Sequence, residues 1–195
     1  LKYSIMASIL KVDKIRGTGL DSDSISIDGS GNLTTTKTLS APGHVIQVVQ
    51  NTDGTSSTTT STSYVNTPLS VTITPTSATS KIHLNFNFAA GFMQQNYHGY
   101  MTIYRDSTNL NPASAGGDND GFFLHGNSGP DGPYLYICRY YNFSYLDSPN
   151  TTSAVTYYLA MKMANSAATF YYNINRNGDN NAGGAGIAIA TEIAQ

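Results

Sequence analysis

Between Leu69 and Phe88 the chain alternates apolar and polar side chains almost without a break. Leu69, Val71 and Ile73 stand against Ser70, Thr72 and Thr74, then Ile82, Leu84, Phe86 and Phe88 against Lys81, His83, Asn85 and Asn87. A period of two puts each set on its own face of a pleated strand, whereas a helix would scatter the apolar set around its circumference. Two half-buried strands are expected, joined by the turn-forming run Pro75-Thr76-Ser77-Ala78-Thr79-Ser80.

The same period recurs downstream. Val155, Tyr157, Leu159, Met161 and Met163 form the cleanest run, and Phe170, Tyr172 and Ile174 alternate with Tyr171, Asn173 and Asn175. Tyr100 to Tyr104 and the aromatic-rich Tyr134 to Tyr141 read as strands, with a turn at Arg105-Asp106-Ser107-Thr108-Asn109. Residues 111–133 read as a long loop interrupted by Phe122-Phe123-Leu124, and residues 178–186 as a Gly/Asn loop before Ile187, Ile189 and Ile193 close the sheet. Upstream, Ala41-Pro42-Gly43 breaks the chain, and Val45, Ile46, Val48 and Val49 are expected to form the first buried strand. The polar run Thr52 to Ser63 reads as an exposed connector. Eight or so strands and no helix describe an all-β fold: an extended N-terminal β arm over residues 1–42, then a jelly-roll-like β-sandwich over residues 43–195.

The arm carries little to bury. Ile25 and Ile27, the turn Asp28-Gly29-Ser30-Gly31-Asn32 and Leu33 make a hairpin pattern too poor in apolar area to stand by itself. Such a segment becomes stable when identical chains wrap together or when it docks on a partner. Further upstream, residues 6–16 fit a weak strand or a helix equally well. Met6-Ala7-Ser8 has the look of a translation start, with five residues ahead of it.

Only 11% of the residues are charged and the net charge is −2, so no basic patch marks a nucleic-acid partner. The 39% of apolar residues argue against disorder for most of the chain. Cys138 is alone and lies within a strand pattern, so no internal disulfide forms. No apolar run is long enough to span a bilayer and no secretion signal is evident, so no membrane insertion is expected.

The four histidines, His44, His83, His98 and His125, show no metal-ligand spacing, and no nucleophile elbow or paired carboxylates mark a catalytic centre. The reading is of a non-enzyme with no cofactor. Asp118-Asn119-Asp120-Gly121 resembles the oxygen-rich clustering of calcium loops but lacks the other ligands, and an ordinary turn explains it better. Fourteen tyrosines cannot all face inward, and an amphipathic ring suits sugar or protein recognition. Tyr97, His98, Asp118, Asp120, His125, Tyr134, Tyr136 and Tyr145 are the candidate recognition residues.

The run PGHVIQVVQ, the Ser/Thr-rich stretch after it and SYVNTPLSVTITPTSATSKIHL resemble a module of tail-fibre and other structural proteins of marine phages, above all those infecting cyanobacteria. MASILKVDKIRGTG is similar to the opening of such proteins, and SISIDGSGNLT to the short repeat of their shafts. The resemblance covers residues 6–88; residues 89–195 share only a general Tyr- and Asn-rich, all-β character. It implies a virion component assembled in the host cytoplasm, a homotrimer whose arm docks to other virion proteins. Its knob would contact a host surface glycan or protein. The alternative is a capsid fibre or decoration protein without a specific receptor.

Overall fold

The computed structural model describes residues 14–15, 25–35, 41–92, 98–110, 122–125, 137–174 and 184–195, and every regular element among them is a β-strand. The chain divides into two compact units, Leu1–Ala41 and Pro42–Gln195.

In the first unit β1 (Lys14–Ile15), β2 (Ile25–Ile27) and β3 (Leu33–Thr35) form a three-stranded antiparallel sheet. The turn between β2 and β3 is organised by Asp28. Its Oδ1 accepts the backbone N–H groups of Ser30 and Asn32, both at 2.9 Å, and its Oδ2 accepts Asn32 Nδ2 at 2.9 Å. The Asn32 side chain first, then these backbone donors, hold the Asp28 carboxyl below its ordinary range. Gly31 supplies the positive φ of 84° that closes the loop.

The second unit contains β4 (Val45–Asp53), β5 (Ser57–Thr59), β6 (Val65–Ile73), β7 (Lys81–Phe92), β8 (His98–Arg105), β9 (Thr108–Asn109) and β10 (Phe122–His125). It continues with β11 (Ile137–Asp147), β12 (Val155–Met163), β13 (Phe170–Tyr172) and β14 (Gly186–Ile193). Several short strands share one lane. β14 and then β13 line the same edge of β7, β4 and β5 line the far side of those two, and β9 and β10 line the outer edge of β8.

Counted this way there are eight antiparallel lanes in two sheets of four. The first sheet runs β11, β7, β14/β13, β4/β5, and the second runs β10/β9, β8, β12, β6. In chain order the first lane pairs with the eighth, the second with the seventh, the third with the sixth and the fourth with the fifth. That is one long hairpin rolled up, the jelly-roll arrangement expected from the strand pattern.

Between the sheets lie Leu69, Val71 and Ile73 of β6, Ile82, Leu84, Phe86 and Phe88 of β7, and the odd-numbered residues of β12 from Val155 to Met163. Phe88 meets the Phe143 ring edge-on at 4.9 Å between centroids. Pro68 sits in β6, on the edge of its sheet, where the register against β12 slips. A proline there lacks the N–H of a regular ladder, and the Thr67 hydroxyl instead donates to the Leu159 carbonyl at 2.8 Å.

Three local expectations are corrected. The stretch at β4 is not a buried strand: it is the edge lane, with Val45 and Val48 48% and 60% exposed. The Thr52–Ser63 run is not a plain connector, since Ser57–Thr59 pairs with β13 and Thr59 is buried. β14 is interior to its sheet, and it turns Ala188 and Ala190 to the core while Ile187, Ile189 and Ile193 face outward. The inward alanines lie opposite Phe86 and Leu84, whose side chains already fill that space.

Candidate functional site

Alternation along β8 and β12 decides which aromatic groups reach the outer face of the second sheet. Tyr100 lies opposite Lys162, Thr102 opposite Ala160 and Tyr104 opposite Tyr158. The segment between β5 and β6 runs beside the end of β12. Met163 N–H donates to the Ser61 carbonyl at 2.7 Å, and a local turn, in which Ser63 N–H donates to Ser61 Oγ at 3.0 Å, sets up Tyr64.

The Lys162 ammonium consequently lies between two tyrosines, 4.8 Å from the Tyr64 ring centre and 5.2 Å from that of Tyr100. Tyr64 meets Tyr104 edge-on at 6.0 Å, and His98 meets Tyr100 edge-on at 6.0 Å. Tyr64 and Lys162 are half-buried and the Tyr100 ring is almost wholly covered, so each ammonium–ring contact is worth about 0.5–2 kcal/mol. Beneath this patch Thr102 and Ala160 are completely covered, and Thr102 Oγ1 donates to Asn109 Oδ1 at 2.7 Å.

Of the residues singled out from sequence, His98 and His125 are brought into direct register across β8 and β10. Tyr145 is in the other sheet, opposite Leu84 on the inward side of β11, where it packs half-buried against the core. Tyr97, Asp118, Asp120, Tyr134 and Tyr136 lie outside the described residues, as does the Asp118–Gly121 loop. Tyr64, Tyr100, Tyr104 and Lys162 were missed as site residues. The i, i+2 spacing of His98, Tyr100, Thr102 and Tyr104 was the available signal for one edge of the patch; Tyr64 and Lys162 join it only through tertiary contact.

Two buried acids occupy other positions, and both are saturated with donors. Asp147 accepts Arg105 Nη1 at 2.8 and 3.0 Å and the Tyr157 hydroxyl at 2.8 Å. Burial, and then that bond to Asp147, push the Tyr157 hydroxyl well above the ordinary tyrosine range. Glu192 accepts Gln47 Nε2 at 2.6 Å and both the N–H and hydroxyl of Thr76 at 2.8 Å. Burial by itself would raise its pKa, but the donors of Gln47, Ser80 and Thr76 outweigh it and leave the carboxyl below its ordinary range. Among the described residues no group of three or more His, Cys, Asp or Glu is placed to hold a metal ion.

No family model and no curated protein matches the chain. Among solved structures it is similar to a mutant VP2 protein of infectious bursal disease virus in derived T=1 particles, at 12% identity and a TM-score of 0.37 over all of this chain and 48% of that one. It is also similar to a structure of the Gx strain of the same virus, at 12% identity and a TM-score of 0.31 over 93% of this chain and 42% of that one. The chain thus spans about half the length of these viral chains or less.

Proposed function

We propose that this chain is a structural and adhesive component of a virus particle, of the phage tail-fibre kind. The observation that carries the reading is the rolled eight-lane sandwich, an architecture shared by viral capsid and lectin domains, joined to an N-terminal unit of short hairpin strands. Because a fold does not by itself assign a function, the reading also leans on the phage-like runs within residues 6–88. In it the arm docks on other virion proteins, and the sandwich forms the knob of a homotrimer assembled in the host cytoplasm.

The half-buried Tyr64, Lys162, Tyr104 and His98, packed around the buried Tyr100 ring, form the face proposed to meet a host-surface glycan or protein. Rigid rings offer flat apolar contact with a polar rim, and the ammonium favours an anionic or hydroxyl-rich partner. The protein is proposed to bind and not to turn over, since its buried acids are committed to internal donors.

Immunoelectron microscopy of assembled particles with antibodies to the full chain tests the particle assignment, and particles that never label would end it. Binding of the labelled protein to host cells tests the patch. Tyr64→Ala with Lys162→Ala is expected to weaken binding at least tenfold, about 1.4 kcal/mol. Unchanged binding by a folded double variant would remove the patch from the reading.

A further inference from the structure

The outer faces of the two sheets are treated differently by the chain. On the second sheet the Tyr64, Tyr100, Tyr104 and Lys162 side chains pack on one another, and Thr102 and Ala160 have no solvent contact. On the first sheet, β14 turns Ile187, Ile189 and Ile193 outward, and register places Val48 beside Thr191 and Val45 beside Ile193. An apolar stripe thus crosses from an interior lane to the edge lane, where Val45 and Val48 are largely exposed.

We propose that this stripe and the β4 edge are where copies of this chain bind one another. The inference deepens the homotrimer reading above and rests on it only for the number of copies.

Three observations favour a second copy over a different partner. From Val45 to Thr52 the edge lane has no charged residue and no proline, although proteins that remain single chains commonly guard a long edge with such residues. The stripe itself carries no charged side chain for an acidic or basic partner to read, and the one charge in register beside it, Lys81 opposite Ile193, lies at its end and on the side away from the β4 edge. Polar groups of β7 and β11 on this face are paired with one another. Asn142 Nδ2 donates to Asn85 Oδ1 at 2.9 Å and to Asn87 Oδ1 at 2.6 Å, and His83 Nε2 lies 2.8 Å from Ser144 Oγ. These groups can be covered by an apolar neighbour without losing partners.

Native mass spectrometry of the full chain at micromolar concentration tests the inference, with Val48→Lys and Ile189→Lys as variants and Val65→Lys on the edge of the other sheet as control. A wild-type trimer, a control trimer and monomeric variants that keep the wild-type circular dichroism are expected. Because Val48 is mostly exposed, its replacement reads the surface even if Ile189→Lys fails to fold. A dimer that the two variants abolish would uphold the surface and overturn the number three. A trimer indifferent to both variants would overturn the surface and leave the trimer. A wild-type monomer would overturn both, with the particle assignment still decided separately by antibody labelling.

Discussion

Glu192 points inward from β14 to the corner where the turn after β6 returns to β7, and it is fully buried. Its Oε1 takes both Thr76 donors and its Oε2 takes Gln47 Nε2, while the Ser80 hydroxyl, which also donates to the carboxylate, can turn to donate to or accept from an amide. In Glu192→Gln the amide oxygen can keep the Thr76 bonds, but the new NH2 then faces Gln47 Nε2. That nitrogen cannot turn away freely, because it also donates to the Thr74 carbonyl at 2.8 Å. One hydrogen bond to an ionised acceptor is lost, worth about 1.5–3 kcal/mol. For a unit of this size that lowers the melting temperature by roughly 3–12 °C.

The pH dependence provides a second reading of the same substitution. With its folded-state pKa depressed, the wild-type carboxylate contributes stability that is fully present above the unfolded-state pKa and is lost as pH falls through the folded-state value. Thermal melts across the acidic range should therefore show a steeper loss for the wild type than for Glu192→Gln. A variant that melts with the wild type at neutral pH, or that keeps the full acid slope, would refute the account of this corner.

Tyr157→Phe and Tyr172→Phe remove the same hydroxyl from two fully buried rings and are expected to act with opposite sign. The first loses the bond to Asp147 and about 1.5–3 kcal/mol in chemical denaturation. The second removes a hydroxyl that is buried without a hydrogen-bond partner, so it is expected to be neutral or to stabilise by about 1 kcal/mol. Gly186→Ala would drive a methyl into the Tyr172 hydroxyl and the Leu69 side chain, and a loss of about 1–3 kcal/mol should appear in the same denaturant titration. Asp28→Ala is expected to speed amide exchange at Ser30 and Asn32, read by NMR, while the melting of the Pro42–Gln195 unit stays unchanged.

Much of the fold was legible because period-two alternation is a local signal. β6, β7 and β12 carry it in large apolar side chains on one parity only, so each strand and its buried face could be read from a few residues. β7 outran its reading where Phe88 gives way to Ala89-Ala90-Gly91, small residues that break the pattern while the ladder to β11 continues. For β14 the local pattern pointed the wrong way. Both parities there are apolar, and only the large residues already packed opposite, Phe86 and Leu84, decide that alanine faces in and isoleucine out. Edge or centre is likewise undecidable from β4 itself, since it depends on which lane β14 leaves open, a pairing separated by more than a hundred residues. The candidate site divides in the same way. Tyr100 and Tyr104 share a face by their spacing, but the Lys162 ammonium reaches Tyr64 only because the roll brings the start of the β6 lane beside β12.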